Sequence, residues 1–402
     1  MTMTTWHLAN VRPMGGAPAT VTITDGRIAA IAPAAPPPGA AAEDGGGRLL
    51  LPGLVEGHAH LDKTTLHMRE WLVNEVGPRI EDKIEAERAW RAASGHDAGA
   101  ASLALARAFL AAGTTRIRSH VDVDTVAGTR HVERVLATRE AVREVQEIQI
   151  VAFPQSGMLG RPGTERLLDA ALAMGADVVG GIDPCAIERD PVRHLDTVFG
   201  LAERHGKPVD IHLHEPGTMG AFSLDLILER TRALGMQGKV VVSHAFCLGD
   251  LPERDRDSLL ARMAALDVAI ATTAPASRPV PPVATCRAAG VTIFGGNDGI
   301  RDRWTPYGAP DMLERAMLIG LRNNFRRDDE LALAFDCVGT AGAQGCGFGD
   351  YGLVPGARAD LVLVEARTLA EAVVARPVRR LVVAAGRVVA RDGVLVQGSA
   401  EG

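Results

Sequence analysis

Residues 50–62 read LLPGLVEGHAHLD, an apolar run that ends in two histidines, His58 and His60. Because side chains alternate between the two faces of a β-strand, these histidines point the same way and can bind one metal ion. A His-x-His pair is a weak signal alone, since two histidines two residues apart also arise by chance. The segment therefore predicts a strand that ends in a candidate metal site, and support must come from elsewhere in the chain.

The composition is that of an ordinary globular protein. The chain has 402 residues, of which 47% are hydrophobic and 23% are charged, and this length suits one large domain plus a small one. The net charge of -6 gives no electrostatic reason to expect nucleic acid or an anionic membrane as a partner. We therefore expect a small-molecule substrate.

The cysteines and the apolar segments bear on the compartment. Five cysteines are scattered without a Cys-x-x-Cys spacing, which argues against a disulfide framework and against a thiolate zinc site. The N-terminus lacks a basic region followed by an apolar core, and no run of about 18 apolar residues occurs. These features predict a cytoplasmic protein without a membrane partner. They leave the oligomeric state open, with a homo-oligomer among the options.

Both ends of the chain show strand patterns. Two alternating runs near the N-terminus flank Asp25-Gly26, which predicts a β-hairpin. Further strand patterns follow near the C-terminus. The two ends are therefore predicted to pair into one small, discontinuous β-sandwich domain, residues 1–50 plus 350–402.

The middle of the chain, residues 51–349, alternates β-branched runs with Ala/Leu/Arg-rich helical stretches. This alternation indicates βα units on a parallel sheet, and eight of them predict an α/β fold of the (β/α)8 TIM-barrel type. A charged helix is expected in the long segment 61–97, with most of its charges facing solvent. The predicted strands are 50–56, 115–121, 147–153, 177–182, 208–213, 239–243, 267–272 and 291–296.

The ends of the predicted strands carry unusual residue types. Active sites of such barrels lie at the C-terminal ends of the strands, and five of the eight ends carry metal-ligating or titratable residues where apolar core is expected. These residues are His58 and His60, His120 and Asp122, His212 with His214 and Glu215, His244, and Asp298.

With these strand ends in view, the chain resembles the amidohydrolase superfamily over essentially its whole length, in the branch of cytosine deaminase and N-isopropylammelide isopropylaminohydrolase. The most specific motif is Ala-Phe-Pro-Gln at 152–155. The resemblance implies one divalent metal ion, Zn²⁺ or Fe²⁺, held by His58, His60, His212 and Asp298.

The implied chemistry is hydrolytic. Three imidazoles and a carboxylate suit zinc or ferrous iron and leave a position for water, and a bound metal lowers the pKa of water towards roughly 7. Hydroxide then adds to a ring carbon, and ammonia or an amine leaves. The resemblance implies a role for each of five side chains. Asp298 orients the water, Glu215 shuttles a proton to the ring, and His244 polarises the developing alkoxide. Gln155 binds an amide edge of the ring, and Trp304 forms a wall of the pocket.

Other site types fit the sequence less well. Barrel hydrolases with two metals use a carboxylated lysine at the end of strand four, and no lysine lies there. The Cys-x-x-Cys deaminases are excluded by the cysteine spacing. Strand eight reads Asn297-Asp298-Gly299 where the cytosine deaminase resemblance leads us to expect His-Asp-Asp, so a substrate-side carboxylate is missing. Supporting roles for His214, His120 and Asp122 stay open.

These observations predict a mononuclear metal-dependent hydrolase that deaminates, or removes an alkylamine from, a nitrogen heterocycle such as cytosine or an amino-s-triazine. The alternatives are an enzyme acting on another ring, such as isocytosine, creatinine or a pterin, and a non-catalytic scaffold on the same barrel. A scaffold is expected to have lost ligands, whereas every expected ligand type is present here.

Overall fold

Two separate sheets of eight strands organise the protein in the computed structural model, which describes residues 4–398. One sheet contains strands from both chain ends, and the other contains strands from the middle. The predicted α/β architecture is therefore confirmed. The division into domains at 50 and 350 stays a prediction, and its residues 1–3 and 399–402 lie outside the described part of the chain.

The secondary structure alternates as the sequence pattern indicates. The strands are β1 (Thr5–Pro13), β2 (Ala19–Thr24), β3 (Arg27–Ala32), β4 (Ala42–Pro52), β5 (Leu54–Ala59), β6 (Thr114–Asp122), β7 (Glu147–Phe153), β8 (Val178–Ile182), β9 (Val209–His212), β10 (Val240–Ser243), β11 (Ala269–Thr272), β12 (Ile293–Gly295), β13 (Leu361–Val364), β14 (Arg379–Ala384), β15 (Arg387–Arg391) and β16 (Val394–Leu395). The helices are α1 (Ile80–Ser94), α2 (Ala98–Ala111), α3 (Arg130–Val142), α4 (Thr164–Met174), α5 (Pro191–His205), α6 (Gly217–Ala233), α7 (Cys247–Asp250), α8 (Glu253–Ala265), α9 (Val283–Ala288), α10 (Met312–Arg322), α11 (Asp328–Asp336), α12 (Thr340–Cys346) and α13 (Leu369–Ala375).

The terminal sheet has the order β16-β15-β14-β13-β4-β1-β2-β3, with β4 at the junction of the two chain ends. Side chains of β4 alternate between two cores, as the pleat of a strand requires. Leu50 packs in a cluster with Leu8 and Leu361, whereas Leu49 and Leu51 pack in the larger cluster that joins barrel strands to their surrounding helices. The terminal sheet therefore encloses a core of its own and packs its other face against the barrel.

The barrel sheet runs in sequence order from β5 to β12, and each pair of neighbouring strands is parallel. It closes where Ala59 of β5 bridges Asp298, just after β12, and the Asp298 N–H donates to the His58 carbonyl at 2.7 Å. The predicted TIM barrel is thus confirmed. Because the strands are parallel and closed, the residues that follow them gather at one mouth.

The first barrel strand begins later than predicted. Residues 50–52 belong to β4 of the terminal sheet, and the barrel strand begins at Leu54. Gly53 separates the two strands at a close approach, since a Cβ placed there would lie 2.8 Å from the Cβ of Asp360. Because the apolar run is continuous, the sequence pattern does not show where the chain passes from one sheet to the other.

Helix α1 lies within the long segment between β5 and β6 and carries many charges, as predicted. Two of these charges are exceptions to the solvent-facing prediction, because Glu87 and Arg91 are 1% and 5% exposed in their side chains. Arg91 contacts Glu87 and Asp122, and Lys63 lies 3.7 Å from Glu87. The inner side of α1 is thus attached by ion pairs to the barrel mouth.

Among the described residues, no helix is both long and apolar enough to cross a membrane. The cytoplasmic location and the oligomeric state stay predictions.

Candidate active site

His58 lies at the end of β5 with its ring held by a chain of hydrogen bonds. Its Nδ1 is 2.9 Å from Ser243 Oγ, and that hydroxyl donates to Asp210 Oδ1 at 2.6 Å. Burial alone would raise the pKa of Asp210, but His120 and Arg118 beside it hold that pKa well below its ordinary value. Since the ionised carboxylate takes the only hydroxyl proton, Ser243 accepts from His58 Nδ1–H. His58 Nε2 therefore carries a lone pair, and it is buried without a hydrogen-bond partner.

The same argument fixes the ring of His60. Its Nδ1 is 3.1 Å from the carbonyl oxygen of His120, which can only accept, so Nδ1 carries the proton. His60 Nε2 then carries a lone pair, and this atom lies 3.1 Å from Asp298 Oδ1. Two acceptor atoms at this distance repel each other unless a cation lies beside both. The donor set fits a metal ion at this point.

His212 and Asp298 complete the cluster. The His212 ring stacks on Phe153 with centroids 4.0 Å apart, and both of its nitrogens are buried without a partner. One nitrogen each of His58, His60 and His212 lie within 4.8 Å of one another. Asp298 Oδ1 is 3.8 Å from His58 Nε2. The structure therefore brings together all four side chains that the sequence predicted as ligands.

Asp298 presents its carboxylate from a strained backbone. Its φ of +66° lies in the left-handed region, which non-glycine residues seldom adopt. Such conformations persist where the surroundings enforce them, and they cluster at functional sites. The side chain is 40% exposed although its neighbours are buried, so the cluster opens to solvent at Asp298.

Two more histidines follow β9 and β10 at the same mouth. His244 also has a left-handed φ of +71°, and its unpartnered Nε2 is 4.0 Å from Asp298 Oδ2. The ring of His214 stacks on that of His244 at 4.4 Å, and its Nδ1 is 2.7 Å from Asp183 Oδ2. The hydrogen bond to Asp183 thus orients the His214 ring, which lies against His244. His212, in contrast, lies with His58 and His60, as expected of the predicted ligand.

Gln155 and Trp304 both contact a buried lysine, Lys63. Lys63 Nζ donates to Gln155 Oε1 at 2.7 Å and lies 5.5 Å from the centre of the Trp304 ring. The indole Nε1 of Trp304 in turn donates to Glu87 Oε2 at 2.7 Å. Both predicted substrate residues are therefore beside one ammonium group. Lys63 also lies 3.5 Å from Asp122, which keeps it among carboxylates.

Glu215 is arranged differently from the ligands. Its Oε1 accepts from the backbone N–H groups of Cys185 and Ala186, each at 2.7 Å, and its Oε2 accepts from the Ser223 hydroxyl. Burial raises the pKa of this carboxyl above its ordinary value. Both oxygens are occupied, so Glu215 anchors the loops after β8 and β9, and its proton-shuttling role stays a prediction.

His120 and Asp122, at the end of β6, support the site from behind. The His120 ring is 4.1 Å from that of His58, and its Nε2 is 3.4 Å from Asp210 Oδ1. Burial lowers the pKa of His120 to about 3, so this imidazole is neutral. Asp122 is paired with Lys63 and Arg91.

Comparison with known proteins agrees with this barrel fold. A model of the Amidohydrolase family matches residues 41–390. The chain belongs to the amidohydrolase family. Over 355 residues this amidohydrolase is 31% identical to N-isopropylammelide isopropyl amidohydrolase of Pseudomonas sp. strain ADP, and the match covers 87% of each chain.

Two solved structures resemble this amidohydrolase closely. N-isopropylammelide isopropylaminohydrolase from Burkholderia multivorans ATCC 17616 is 66% identical, with a TM-score of 0.95 over 98% of this chain and 100% of the other. The 5-methylcytosine deaminase of Klebsiella pneumoniae, liganded with 5-fluorocytosine, is 28% identical, with a TM-score of 0.84 over 95% of this chain and 97% of the other.

Sequence reasoning about this amidohydrolase missed side chains that approach the site from the segments connecting the strands. Lys63 follows the His-x-His pair directly along the chain, and a lysine is rare here, with only four in 402 residues. That rarity was a usable signal. Glu87 carries no comparable mark, since acidic residues are common in exposed helices.

Proposed function

We propose that the protein is a metal-dependent hydrolase that removes an alkylamine or ammonia from an oxo-substituted nitrogen heterocycle of s-triazine or pyrimidine type. The observation that carries this proposal is the cluster of metal-ligating side chains of His58, His60, His212 and Asp298 at the barrel mouth, in which buried nitrogens of His58 and His212 have no hydrogen-bond partner. The relative with 66% identity favours N-isopropylammelide as the substrate.

The four proposed ligands suit one divalent cation, Zn²⁺ or Fe²⁺. When bound, such an ion acts as a Lewis acid and makes water a nucleophile near neutral pH. The chain supplies the groups around it. We assign proton acceptance to the Asp298 carboxylate, and contact with the oxygen that develops on the ring carbon to His244. His58 and His60 keep their Nδ1 protons in hydrogen bonds, so they act as ligands and do not exchange protons.

Gln155 recognises the ring, and Lys63 determines how. An ammonium group has donors only, so its hydrogen bond to Gln155 requires the amide oxygen on the Lys63 side. The amide NH₂ is then the group left for the substrate. A donor at this position pairs with a ring carbonyl or an unprotonated ring nitrogen. This polarity supports an oxo-heterocycle as the substrate class.

Exchanging Gln155 for glutamate is expected to lower kcat/KM for ring substrates by roughly 10- to 100-fold, the cost of a lost hydrogen bond in a buried site. Glutamate keeps the acceptor for Lys63 and gains an ion pair with it, but it has no NH₂ to donate. The measurements are steady-state kinetics and urea unfolding, in which stability is expected to change by less than about 1 kcal/mol.

Gln149→Glu is the matched control for this exchange. Gln149 Oε1 also accepts from a buried cation, Arg118, at 3.0 Å, but Gln149 lies at the opposite end of β7. Its exchange is expected to leave kcat/KM within about twofold of wild type, because its side chain contacts Arg118 and the Cys346 carbonyl and none of the proposed ligands. An unchanged kcat/KM in Gln155→Glu would contradict the proposed recognition.

A second candidate function is deamination of a pyrimidine. It is favoured by the likeness to 5-methylcytosine deaminase, which extends over 95% of this chain. Both candidates break an exocyclic C–N bond, so the same centre serves either one. They differ in the amine that leaves and in the space beside it.

The proposal is tested with purified protein before and after dialysis against a chelator. N-isopropylammelide, cytosine and 5-methylcytosine are supplied separately, and isopropylamine and ammonia are measured together with bound metal. We expect isopropylamine release with about one metal ion per chain, loss of release after dialysis, and recovery on adding Zn²⁺ or Fe²⁺. Release of ammonia from the pyrimidines alone would favour the second candidate. Two ions per chain, or no amine from any ring, would contradict the proposal.

A further inference from the structure

Gly299 directly follows the proposed ligand Asp298, at the position where the cytosine deaminase pattern leads us to expect a carboxylate. Its backbone is outside the left-handed region, so an L side chain is compatible with its conformation. The obstacle is Asp302. A Cβ placed on Gly299 would overlap Asp302 Oδ2 and lie 2.9 Å from Asp302 Cγ. The carboxylate of Asp302 therefore fills the space where a side chain at position 299 would begin.

Asp302 has one oxygen in use and one without a partner. Its Oδ1 accepts from the backbone N–H groups of Trp304 at 2.7 Å and Thr305 at 3.0 Å, which shapes the loop after β12. Its Oδ2 is buried and has no hydrogen-bond partner, although the residue is only 4% exposed. Buried carboxylate oxygens are usually satisfied, so an orphan four residues after the proposed ligand Asp298 indicates a place for a ligand donor.

The surroundings of Asp302 are those of the proposed ring pocket. Burial raises the pKa of this carboxyl to about 7, against the opposing effect of the nearby Lys63 ammonium. Lys63 in turn donates to Gln155, and Trp304 follows Asp302 by two residues in the same loop. The Asp302 carboxyl is therefore within electrostatic range of the lysine that contacts the Gln155 amide.

We infer that Asp302 contacts the substrate, with Oδ2 accepting a hydrogen bond from a ring N–H or an exocyclic N–H, in place of the carboxylate missing at position 299. This inference rests on the proposed function and specifies its substrate class. Gln155 donates and Asp302 accepts, so the pair is complementary to an edge in which a carbonyl and an N–H are adjacent. Oxo-pyrimidines and oxo-triazines carry such lactam edges.

Asp302→Asn tests the inference with little change of shape. The asparagine Oδ1 still accepts from Trp304 and Thr305, while Nδ2 replaces the free acceptor by a donor. We expect kcat/KM to fall roughly 10- to 100-fold, mainly through KM. Binding is measured as well, by calorimetry with cyanuric acid, whose three edges each offer an N–H between carbonyls. Its Kd is expected to rise by a similar factor, and trimethyl isocyanurate, which has no N–H, is expected to bind neither protein.

Asp97→Asn is the control for loop shape, because Asp97 Oδ1 accepts from the N–H groups two and three residues on, as Asp302 does. It is expected to leave Kd and kcat/KM within about twofold of wild type. A relocation variant, Gly299→Asp together with Asp302→Gly, returns the carboxylate to position 299. It is expected to recover at least about tenfold in cyanuric acid binding over Asp302→Gly alone.

Binding and turnover separate the two ideas. If wild-type protein binds cyanuric acid and Asp302→Asn does so more weakly, the inference stands even where no ring yields an amine and the proposed function fails. Wild-type affinity in Asp302→Asn would overturn it, as would failure of the wild type to bind this ring. An affinity loss in Asp302→Asn that the relocation variant does not recover would also overturn it, because Asp302 would then act only through loop structure.

Discussion

His58→Ala is expected to lower kcat by about 10³-fold or more, beyond the roughly 10- to 100-fold that follows loss of an outer partner of a metal ligand. The exchange removes the side chain that belongs to two groups of possible metal ligands, one with His60 and His212 and one with His244 and Asp298. Each group then retains only two of its three ligating side chains. We therefore expect the purified variant to hold little metal.

Metal content and amine release are measured on the same preparation of His58→Ala. The control is His205→Ala, at the end of α5, whose ring pairs with the exposed Asp169 at 2.8 Å. This control is expected to keep its metal and its kcat. A His58→Ala protein with full metal content and kcat near wild type would refute the ligand assignment.

Asp210→Ala is expected to destabilise the protein by about 3–5 kcal/mol, the usual cost of removing one partner of a buried ion pair. Asp210 Oδ2 is 3.1 Å from Arg118 Nη1 inside the barrel, and both side chains are nearly inaccessible. The variant also frees the Ser243 hydroxyl, so His58 loses the contact that fixes its tautomer. We expect kcat to fall by roughly 10- to 100-fold in the protein that remains folded.

Urea unfolding and kinetics at a temperature where the variant is folded check these two effects of Asp210→Ala separately. Asp196→Ala is the matched control, since Asp196 pairs with Arg230 at 2.8 Å but is 63% exposed. Its expected cost is below about 1 kcal/mol, as for other surface ion pairs. Equal stability of the two variants would contradict the importance of the buried pair.

The proposed ligands could be found from sequence because two general rules bring metal-ligating residue types to one barrel mouth, and the family resemblance selects His58, His60, His212 and Asp298 among them. Strand periodicity places His58 and His60 on one face, and the closure of a parallel barrel brings the ends of β5, β9 and β12 to one mouth. Neither rule depends on the details of packing. The order of strands and the two-sheet architecture followed from the same patterns.

Loop residues do not obey such rules. Glu215 is only three residues beyond His212, yet its carboxylate points toward the loop after β8, where it accepts from the backbone amides of Cys185 and Ala186. The glycine at 299 suggested a lost carboxylate, whereas the following turn brings Asp302 into that space. Long-range contacts that depend on how a loop folds back cannot be read from spacing, and they shape the proposed substrate side of this site.

The barrel seam has a thermodynamic consequence. His58 and His60 stand on the first strand, Asp298 follows the last, and the Ala59 bridge to Asp298 joins the two edges. A cation held by these side chains would cross-link segments that are about 240 residues apart along the chain. Contacts that hold β5 to the segment after β12 raise the affinity for the ion. By linkage, the bound ion stabilises this closed arrangement by the same free energy.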